Sequence, residues 1–482
     1  MNRYPLKALE SELEKKHMLI CIDSRKVEKG CVFVALPGSS VDGGLFIPDA
    51  VSRGAAYIVC RHNEVEYCGS AIPIVVDDPR YTLGRLARIF YNTGNLSMPI
   101  IGVTGTNGKT TITYLLEYLF RAKGNRTGVI GTIAYRWPGF SKEAPLTTPQ
   151  CLDLHAMLAQ MQVDKTEIVF MEVSSHALDQ RRIAGISFKG VIFTNLTQDH
   201  LDYHKDMKEY FHAKARLFFE YPSKNKIMVA SMDNQWGRKL AKLVPEIIGF
   251  GFKNKPTQVS NYLFGKILSS SRAGLHLQMS FKDKVWELCT PLVGVHNAEN
   301  LLAVQAISLQ LGLAPEDFCC FEKFTGVPGR LERIVNKKQL DIFVDYAHTP
   351  DALINVLSAL RDVGFKRIIT VFGCGGNRDK AKRPLMGKAV AKLSDVAVLT
   401  SDNPRNEDPE LIMADVLPGL KKAKQIITEP DREKAIRQAI ELVSPGDALL
   451  VAGKGHECTQ QIGFMKYPFS DQSVIRKILG CD

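Results

Sequence analysis

Short apolar runs recur along the chain from Pro99 onward, and each stops abruptly in a polar or glycine-rich stretch. PIIGVTG, TEIVFMEVSSH, GVIFTNLTQDH, DIFVDYAHTP, RIITVFGCGG, DVAVLTSDNP and DALLVAGKGHE all have this form. Between many of them the apolar positions follow a helical period, as at Ile112, Leu115, Leu116, Leu119 and Phe120. Strand-like runs alternating with such helices predict an α/β protein with parallel sheets covered on both faces. Ligands of these sheets bind at the carboxyl ends of the strands, which is where the unusual residues of this chain fall. Up to Asn92 the pattern differs, with brief β-like runs (CVFVALPG, AAYIVC, IPIVVDD) and short helices. Two stretches rich in turn residues, NTGNLSMP at 92–99 and TGVPGRLE at 325–332, mark boundaries. They predict a small N-terminal α/β domain at 1–96, a central domain with a phosphate loop and parallel sheet at 97–328, and a Rossmann-like C-terminal domain at 329–482.

Composition narrows the picture. A chain of 482 residues is too long for one hydrophobic core, and 45% hydrophobic with 23% charged residues is ordinary for a globular protein. No apolar run approaches the ~20 residues of a membrane span. Glu10, Glu12, Glu14, Lys15 and Lys16 break the N-terminal hydrophobics, so no secretory signal is expected there. Eleven cysteines without CxxC spacing point to reduced thiols, and so to the cytoplasm. The net charge of +11 would suit nucleic acid, but such binders gather their charge into stripes. Here Lys and Arg are dispersed, and the longest cluster, KKAK at 421–424, is placed on a helix surface. A solvated basic surface that draws in phosphates and carboxylates fits better. The expected partners are small molecules, with no nucleic acid and no membrane, and the protein is expected to be a monomer.

Gly102-Val-Thr-Gly-Thr-Asn-Gly-Lys-Thr110 follows an apolar strand and opens an amphipathic helix, the context a phosphate-binding loop requires. Its glycines let backbone N–H groups turn toward phosphates, and the helix N-terminus adds a favourable dipole. Lys109 would reach the terminal phosphates, and the Thr110 hydroxyl would ligate Mg²⁺. The spacing departs from GxxxxGK[ST], because Val103 stands where the first glycine belongs.

GTNGKTT (Gly105–Thr111) resembles the ATP-binding signature of the Mur ligases, the ATP-dependent amino-acid-adding enzymes of peptidoglycan synthesis, and of the related folylpolyglutamate synthetases. The resemblance runs through essentially the whole chain in a consistent order: DSR (Asp23–Arg25), TTP (Thr147–Pro149), MEVSSHALDQRR (Met171–Arg182), TNLTQDHLDYH (Thr194–His204), AKARLF (Ala213–Phe218), LVGVHNAENLLA (Leu292–Ala303), GVPGRLE (Gly326–Glu332), DYAHTP (Asp345–Pro350), GCGGNRD (Gly373–Asp379), DNPR (Asp402–Arg405) and GKGHE (Gly453–Glu457). It implies a ligase using ATP and Mg²⁺ that activates a carboxylate as an acyl phosphate. The implied ATP contacts are Gly105, Thr106, Asn107, Gly108, Lys109, Thr110 and Thr111, with Asn300, Arg330 and Asp345 around adenine and ribose. Thr110, Glu172, His200 and a carbamylated Lys214 are the implied metal ligands, and Lys109, Lys214 and His200 the implied catalytic groups. Read alone, Lys214 in EYFHAKARLFFEY is as well explained as a surface lysine.

The implied acceptor is UDP-N-acetylmuramoyl-L-alanyl-D-glutamate. Ile22, Ser24 and the loop Ser39, Ser40 and Val41 match positions around its UDP end. Thr147, Thr148, Ser174, Gln180 and Arg182 match those around the muramoyl-dipeptide. Arg378, Asp402, Asn403, Pro404, Arg405, Gly453 and Glu457 match the amino-acid pocket, where DNPR accompanies meso-2,6-diaminopimelate. Pro404 fixes φ and restricts Asn403, so the loop is stiff and presents Arg405 in one place. A guanidinium fork matches two carboxylate oxygens. Addition of L-lysine and a folylpolyglutamate synthetase-like ligation are the alternatives; the second is disfavoured by DSR and DNPR.

Overall fold

The computed structural model describes residues 6–15, 18–38, 41–200, 203–221, 226–257 and 259–481. The chain gathers into two compact units that take it in alternating pieces: 1–104, 124–192 and 211–228 in one, and 105–123, 193–210 and 229–482 in the other. Among the described residues no helix is long and apolar enough to cross a membrane.

The first unit opens with four short parallel strands, Ile20–Cys21, Val32–Val34, Tyr57–Cys60 and Ile72–Val75, paired in chain order. Because side chains alternate across a strand, the sheet fills a core on each face. Phe33, Ile58 and Cys60 pack with Ile47 and Ala50 on one side. Val32, Val34, Val59 and Ile74 pack with Leu83, Leu86 and Ala87 of the helix Pro79–Phe90 on the other. The unit also holds the strands Thr127–Ile130, Ile168–Glu172 and Ile100–Thr104, with Ile168–Glu172 between the other two and parallel to both. Each is buried along its whole length, as a continuous apolar run in a covered parallel sheet requires. A hairpin, Ala134–Trp137 with Phe140–Glu143, extends the edge, and Trp137 stacks on Phe140 at 3.9 Å.

In the second unit the helix Lys109–Ala122 buries Ile112, Leu115, Leu116 and Leu119 as their period predicts. The strands Ile227–Ser231, Ile248–Gly251 and Tyr262–Ser271 run parallel, but Gly274–Phe281 and Lys284–Thr290 continue the sheet antiparallel. The expected parallel sheet thus carries an antiparallel extension at this edge. The connections Arg272–Ala273 and Lys282–Asp283 are two residues long, and a parallel crossover needs a dozen or more. The KKAK cluster departs from expectation: the helix Pro409–Leu420 ends before it, and Lys424 pairs with Asp395 at 2.6 Å.

The last sheet has the strand order Glu332–Arg333, Asp341–Asp345, Ala448–Ala452, Ile368–Phe372, Val396–Leu399, Ile426–Thr428, parallel except for the first. Its residues alternate between two cores. Ile342, Val344, Ile369, Val371, Leu449 and Val451 face one set of helices, and Phe343, Phe372, Leu399 and Leu450 the other. The strand Ala448–Ala452 is inserted between two that precede it in the chain. The carboxyl ends of four adjacent strands therefore carry DYAHTP, GKGHE, GCGGNRD and DNPR side by side.

A fully buried histidine ties the first unit together. His155 Nε2 lies 2.9 Å from the carbonyl of Ala184, and Nδ1 lies 2.5 Å from the Thr93 hydroxyl. Burial, partly offset by the Ala184 bond, pushes its pKa down to about 4. A depressed histidine contributes stability present above its unfolded value near 6.5 and lost as pH falls toward 4. Thermal unfolding between pH 7 and 4 is expected to show a loss of midpoint across this window that His155→Gln reduces. An identical pH profile in the variant would rule out His155 as the source.

Candidate functional site

The phosphate loop is laced to the segment Thr194–Thr197 rather than standing open. The Thr106 N–H donates to Asn195 O and the Asn107 N–H to Asn195 Oδ1, both at 2.9 Å. The Thr194 hydroxyl donates to Asn107 O at 2.6 Å, and the Thr197 N–H donates to Thr106 Oγ1 at 3.1 Å. Gly105 and Gly108 have φ of +146° and +88°. A β-carbon at Gly105 would fall 1.8 Å from Thr194 Oγ1, and one at Gly108 would fall 2.4 Å from Asn300 Oδ1. Only glycine fits at either place. Lys109 Nζ donates to the carbonyls of Gly105 and Thr106 at 2.9 and 2.8 Å, so the ammonium lies over the loop whose phosphate it is expected to neutralise. Thr110 and Thr111 are buried at the helix start.

Arg330 reaches this loop, its Nη2 lying 3.3 Å from Thr110 Oγ1, and its guanidinium covers the Tyr346 ring at 4.7 Å. His348 and His456 flank the same ring at 4.6 and 5.1 Å. Asp345 is buried, and its two oxygens accept the N–H groups of Leu331 and Ala347 at 2.5 and 2.7 Å. Burial outweighs those bonds and the Arg330 charge, pushing its pKa up to about 6. His200 has φ of +54° and half-exposes its ring, with Nε2 3.6 Å from Asp199 Oδ2. Burial raises the pKa of Asp199, but the charges of His200, His348 and Lys109 outweigh it and hold the carboxyl below its ordinary value.

In the first unit the five residues matched to the muramoyl-dipeptide form one network with Glu172. Arg182 donates from Nε and Nη2 to Gln180 Oε1 at 2.9 and 2.7 Å, and from Nη1 to Thr148 O at 3.2 Å. The Thr148 hydroxyl donates to Glu172 O at 2.9 Å and accepts the Ser174 N–H at 3.1 Å. Thr147 Oγ1 lies 3.1 Å from Thr132 Oγ1, and Thr132 donates from both its N–H and its hydroxyl to the buried Glu172 carboxylate, each at 2.9 Å. Lys214 is 1% exposed on the helix Met207–Phe219, so it is not a surface lysine. Ser24 is buried, whereas Ile22 and Val41 are exposed; Ser39 and Ser40 lie outside the described residues.

Among the described residues no group of three or more His, Cys, Asp and Glu side chains is arranged to hold a metal. Taken singly, the Thr110 hydroxyl in one unit and the Glu172 carboxylate in the other are hard oxygen donors of the kind magnesium takes.

The strand-end loops of the last sheet interlock. Arg405 has φ of +52°, an uncommon conformation for a non-glycine residue. It is held there by its N–H donating to Gln461 O at 3.1 Å and its carbonyl accepting from Gly463 at 2.7 Å. Its Nη1 donates to Gly376 O at 2.8 Å. A β-carbon at Gly375 would meet Arg405 Nη1 at 2.9 Å and Arg378 Cγ at 3.9 Å, so the two arginines flank one point of the backbone. Asn403 Nδ2 donates to Glu457 Oε2 at 2.9 Å. The fully buried Lys454 donates to Asn403 Oδ1 and Glu457 Oε2 at 3.1 and 3.0 Å. Gly453 lies against Asp402, whose carbonyl accepts from Gln460 at 2.7 Å.

A phosphate loop opening a helix, with polar loops gathered at neighbouring strand ends, defines a nucleotide-binding α/β enzyme. Family models match three successive stretches: Mur ligase family, catalytic domain at 17–91; Mur ligase middle domain at 103–308; and Mur ligase, glutamate ligase domain at 329–455. The chain belongs to the Mur ligase family. It is 43% identical to the UDP-N-acetylmuramoyl-L-alanyl-D-glutamate–2,6-diaminopimelate ligase of Aquifex aeolicus over 96% of this chain and 94% of that one. Identity to the enzyme of that name from Synechococcus elongatus is also 43%, over 95% and 93%. A solved structure of a ligase of the same name superposes with a TM-score of 0.68 at 32% identity, covering 96% of this chain and 94% of that one. A MurF ligase from Thermotoga maritima in complex with ADP shares the fold at 21% identity and a TM-score of 0.61, over 91% and 94%.

Sequence reasoning passed over Thr132, Asp199, Lys454 and the segment Gln460–Gly463. Lys454 was within reach, since it stands inside GKGHE; Thr132 lies in no quoted motif, and its bond to Glu172 spans 40 residues. Gly108→Ala is expected to weaken ADP binding by about tenfold or more, because the new methyl must displace Asn300 and hold a positive φ. Calorimetric titration with ADP, with circular dichroism as a check on folding, measures it. Unchanged affinity would mean that the loop relaxes freely.

Proposed function

We propose that this chain joins meso-2,6-diaminopimelate to the D-Glu γ-carboxylate of UDP-N-acetylmuramoyl-L-alanyl-D-glutamate at the expense of ATP. The observation that carries the reading is the interlocking of DNPR with GCGGNRD and GKGHE, which puts Arg405 beside Arg378 and Asn403 on Glu457. A carboxylate resists attack by an amine at neutral pH. Transfer of the γ-phosphoryl group to a carboxylate oxygen gives an acyl phosphate and ADP. The amine then attacks the acyl carbon, phosphate leaves, and the nitrogen loses a proton. Positioning and charge neutralisation supply most of such catalysis. In this reading Lys109 and the amides of Gly105–Thr111 hold the phosphates, and Asn300, Arg330 and Asp345 serve the adenosine end. Magnesium, when bound, neutralises phosphate oxygens. Thr110 and His200 are proposed as oxygen and nitrogen donors for magnesium, and Glu172 and carbamylated Lys214 are proposed separately as oxygen donors for such an ion.

The division at 96/97 and 328/329 assigns UDP-sugar, ATP and amino-acid binding to successive domains. Ile22, Ser24 and the 39–41 loop serve the UDP end, and the Thr147–Arg182 network serves the dipeptide. Arg405 pairs with a carboxylate of the diamino acid through its Nε–Nη2 edge, Arg378 contributes to the other carboxylate, and the Gly453 carbonyl and Glu457 take the distal ammonium. The reading places the enzyme in the cytoplasm, in peptidoglycan precursor synthesis and hence in cell-wall growth, shape and division.

Phosphate release with ATP and UDP-muramoyl-dipeptide, compared across diaminopimelate, ornithine and lysine, tests the reaction. A charge left unpaired in a desolvated site costs several kcal/mol, so diaminopimelate is expected to be preferred over lysine by roughly a thousandfold. In Arg405→Ala that preference collapses; efficient lysine addition by the unaltered protein would refute the pocket.

Lys214 gives a second test. Its buried amine, neutral, would attack CO₂ and lose a proton, leaving a carbamate anion in place of a cation. Lys214→Ala is expected to lose activity on the order of 100-fold or more and to regain part of it with short-chain carboxylates. Mass spectra without the added carboxyl group, together with rates indifferent to bicarbonate, would exclude the modification.

A further inference from the structure

Beneath the interlocked loops lies an ion pair that no motif contains. Arg432 is the first residue of the helix Arg432–Glu441 and Asp471 the first of the helix Asp471–Leu479, and both side chains are 0% exposed. Arg432 donates from Nε and Nη2 to the two Asp471 oxygens at 2.8 and 2.7 Å. The same guanidinium donates from Nη1 to Ser401 O at 3.3 Å and from Nη2 to Ala452 O at 3.0 Å. Ser401 is the residue before DNPR, and Ala452 the residue before GKGHE. One planar group therefore fixes the starting points of both loops, and its charge also acts on Asp402 and Glu457. The neighbour of Asp471 adds a second hold, since Gln472 Nε2 donates to Gly455 O at 2.9 Å.

We propose that Arg432, oriented by Asp471, is a positioning residue that sets the spacing of the DNPR and GKGHE loops and so the affinity and selectivity for the diamino acid. The inference rests on the amino-acid pocket described under the proposed function. Its logic is geometric. Arg405 and Glu457 grip a ligand with a charged group at each end only if their separation is right, and each belongs to a loop whose first carbonyl is held by Arg432. An ion pair that merely stabilised the fold would be replaceable by packed apolar side chains, since such exchanges of buried pairs are often neutral or favourable. Apolar side chains could restore the packing and stability of this pair but not its two bonds to the Ser401 and Ala452 carbonyls, so what such a replacement loses is the loop spacing.

The experiment compares steady-state constants for meso-diaminopimelate, ATP and UDP-muramoyl-dipeptide in Arg432→Lys, in Asp471→Asn and in the paired variant Arg432→Met with Asp471→Leu. Thermal unfolding is recorded for each. In Arg432→Lys the KM for diaminopimelate is expected to rise at least tenfold while the other two stay within about twofold, and the preference over lysine falls in parallel. The paired variant is expected to unfold close to the unaltered protein yet keep the raised KM. A paired variant with ordinary KM, or a uniform rise in all three constants, would overturn the proposal. Arg405→Ala is the reference. If it leaves the KM for diaminopimelate unchanged, the pocket assignment falls and the linkage with it. If it raises that KM and Arg432→Lys does not, the linkage alone is overturned.

Discussion

A guanidinium sealed from water is an expensive thing to keep, and the C-terminal sheet is organised around one. Arg432 cannot be left unpaired, because burying a lone charge costs far more than a fold can tolerate. Asp471 must therefore sit opposite it, and two strand ends must turn their carbonyls toward it. Those demands fix where the helices Arg432–Glu441 and Asp471–Leu479 begin. Side-chain caps mark both starts: Asp431 accepts from the Lys434 N–H and Ser470 from the Ser473 N–H. The loops above inherit their positions from this pair, and the strained backbone of Arg405 is tolerated because its neighbours over-determine it.

Within each unit the polar side chains of the described networks satisfy one another. Lys109 lies on its own loop's carbonyls, Arg182 on Gln180 and Thr148, and Lys454 on Asn403 and Glu457. A ligand entering here exchanges hydrogen bonds more than it adds them, so each exchange yields a modest net gain. What it gains is orientation, because the partners are already held at fixed angles. Asn403 illustrates the division of labour: its amide oxygen accepts from Lys454 and from the Gln461 N–H, and its nitrogen donates to Glu457. It builds the pocket wall.

Much of this was legible in the residues because strand-end motifs are local. The continuous apolar runs became fully buried strands, and Ile112, Leu115, Leu116 and Leu119 lie inside as their spacing requires. Pro404 is only part of what holds the DNPR loop. The hairpin Thr459–Ile462 with Met465–Pro468 pins Arg405 as well, and no rule for turns would have given an arginine a positive φ. Arg432 and Asp471 escaped notice because charges at helix starts ordinarily face water; their pairing spans 39 residues and depends on two helices meeting under a sheet. The antiparallel continuation was missed for another reason. Its signal is not an apolar run but the two-residue gaps between Tyr262 and Thr290, which are too short for a parallel crossover.

The strand Ala448–Ala452 comes late in the chain yet fills the slot between Asp341–Asp345 and Ile368–Phe372. During synthesis from the N-terminus, those two strands emerge roughly 80–110 residues before the strand that must separate them, a delay of several seconds or more at ordinary rates. For that interval each presents an apolar edge with unsatisfied backbone groups, the kind of surface that pairs with other chains. Asp471 emerges later still, so Arg432 waits without its counter-charge after its own helix is made. The topology that gathers four motifs at one rim thus leaves this sheet incomplete, and exposed to misassembly, until the strand Ala448–Ala452 and then Asp471 have emerged.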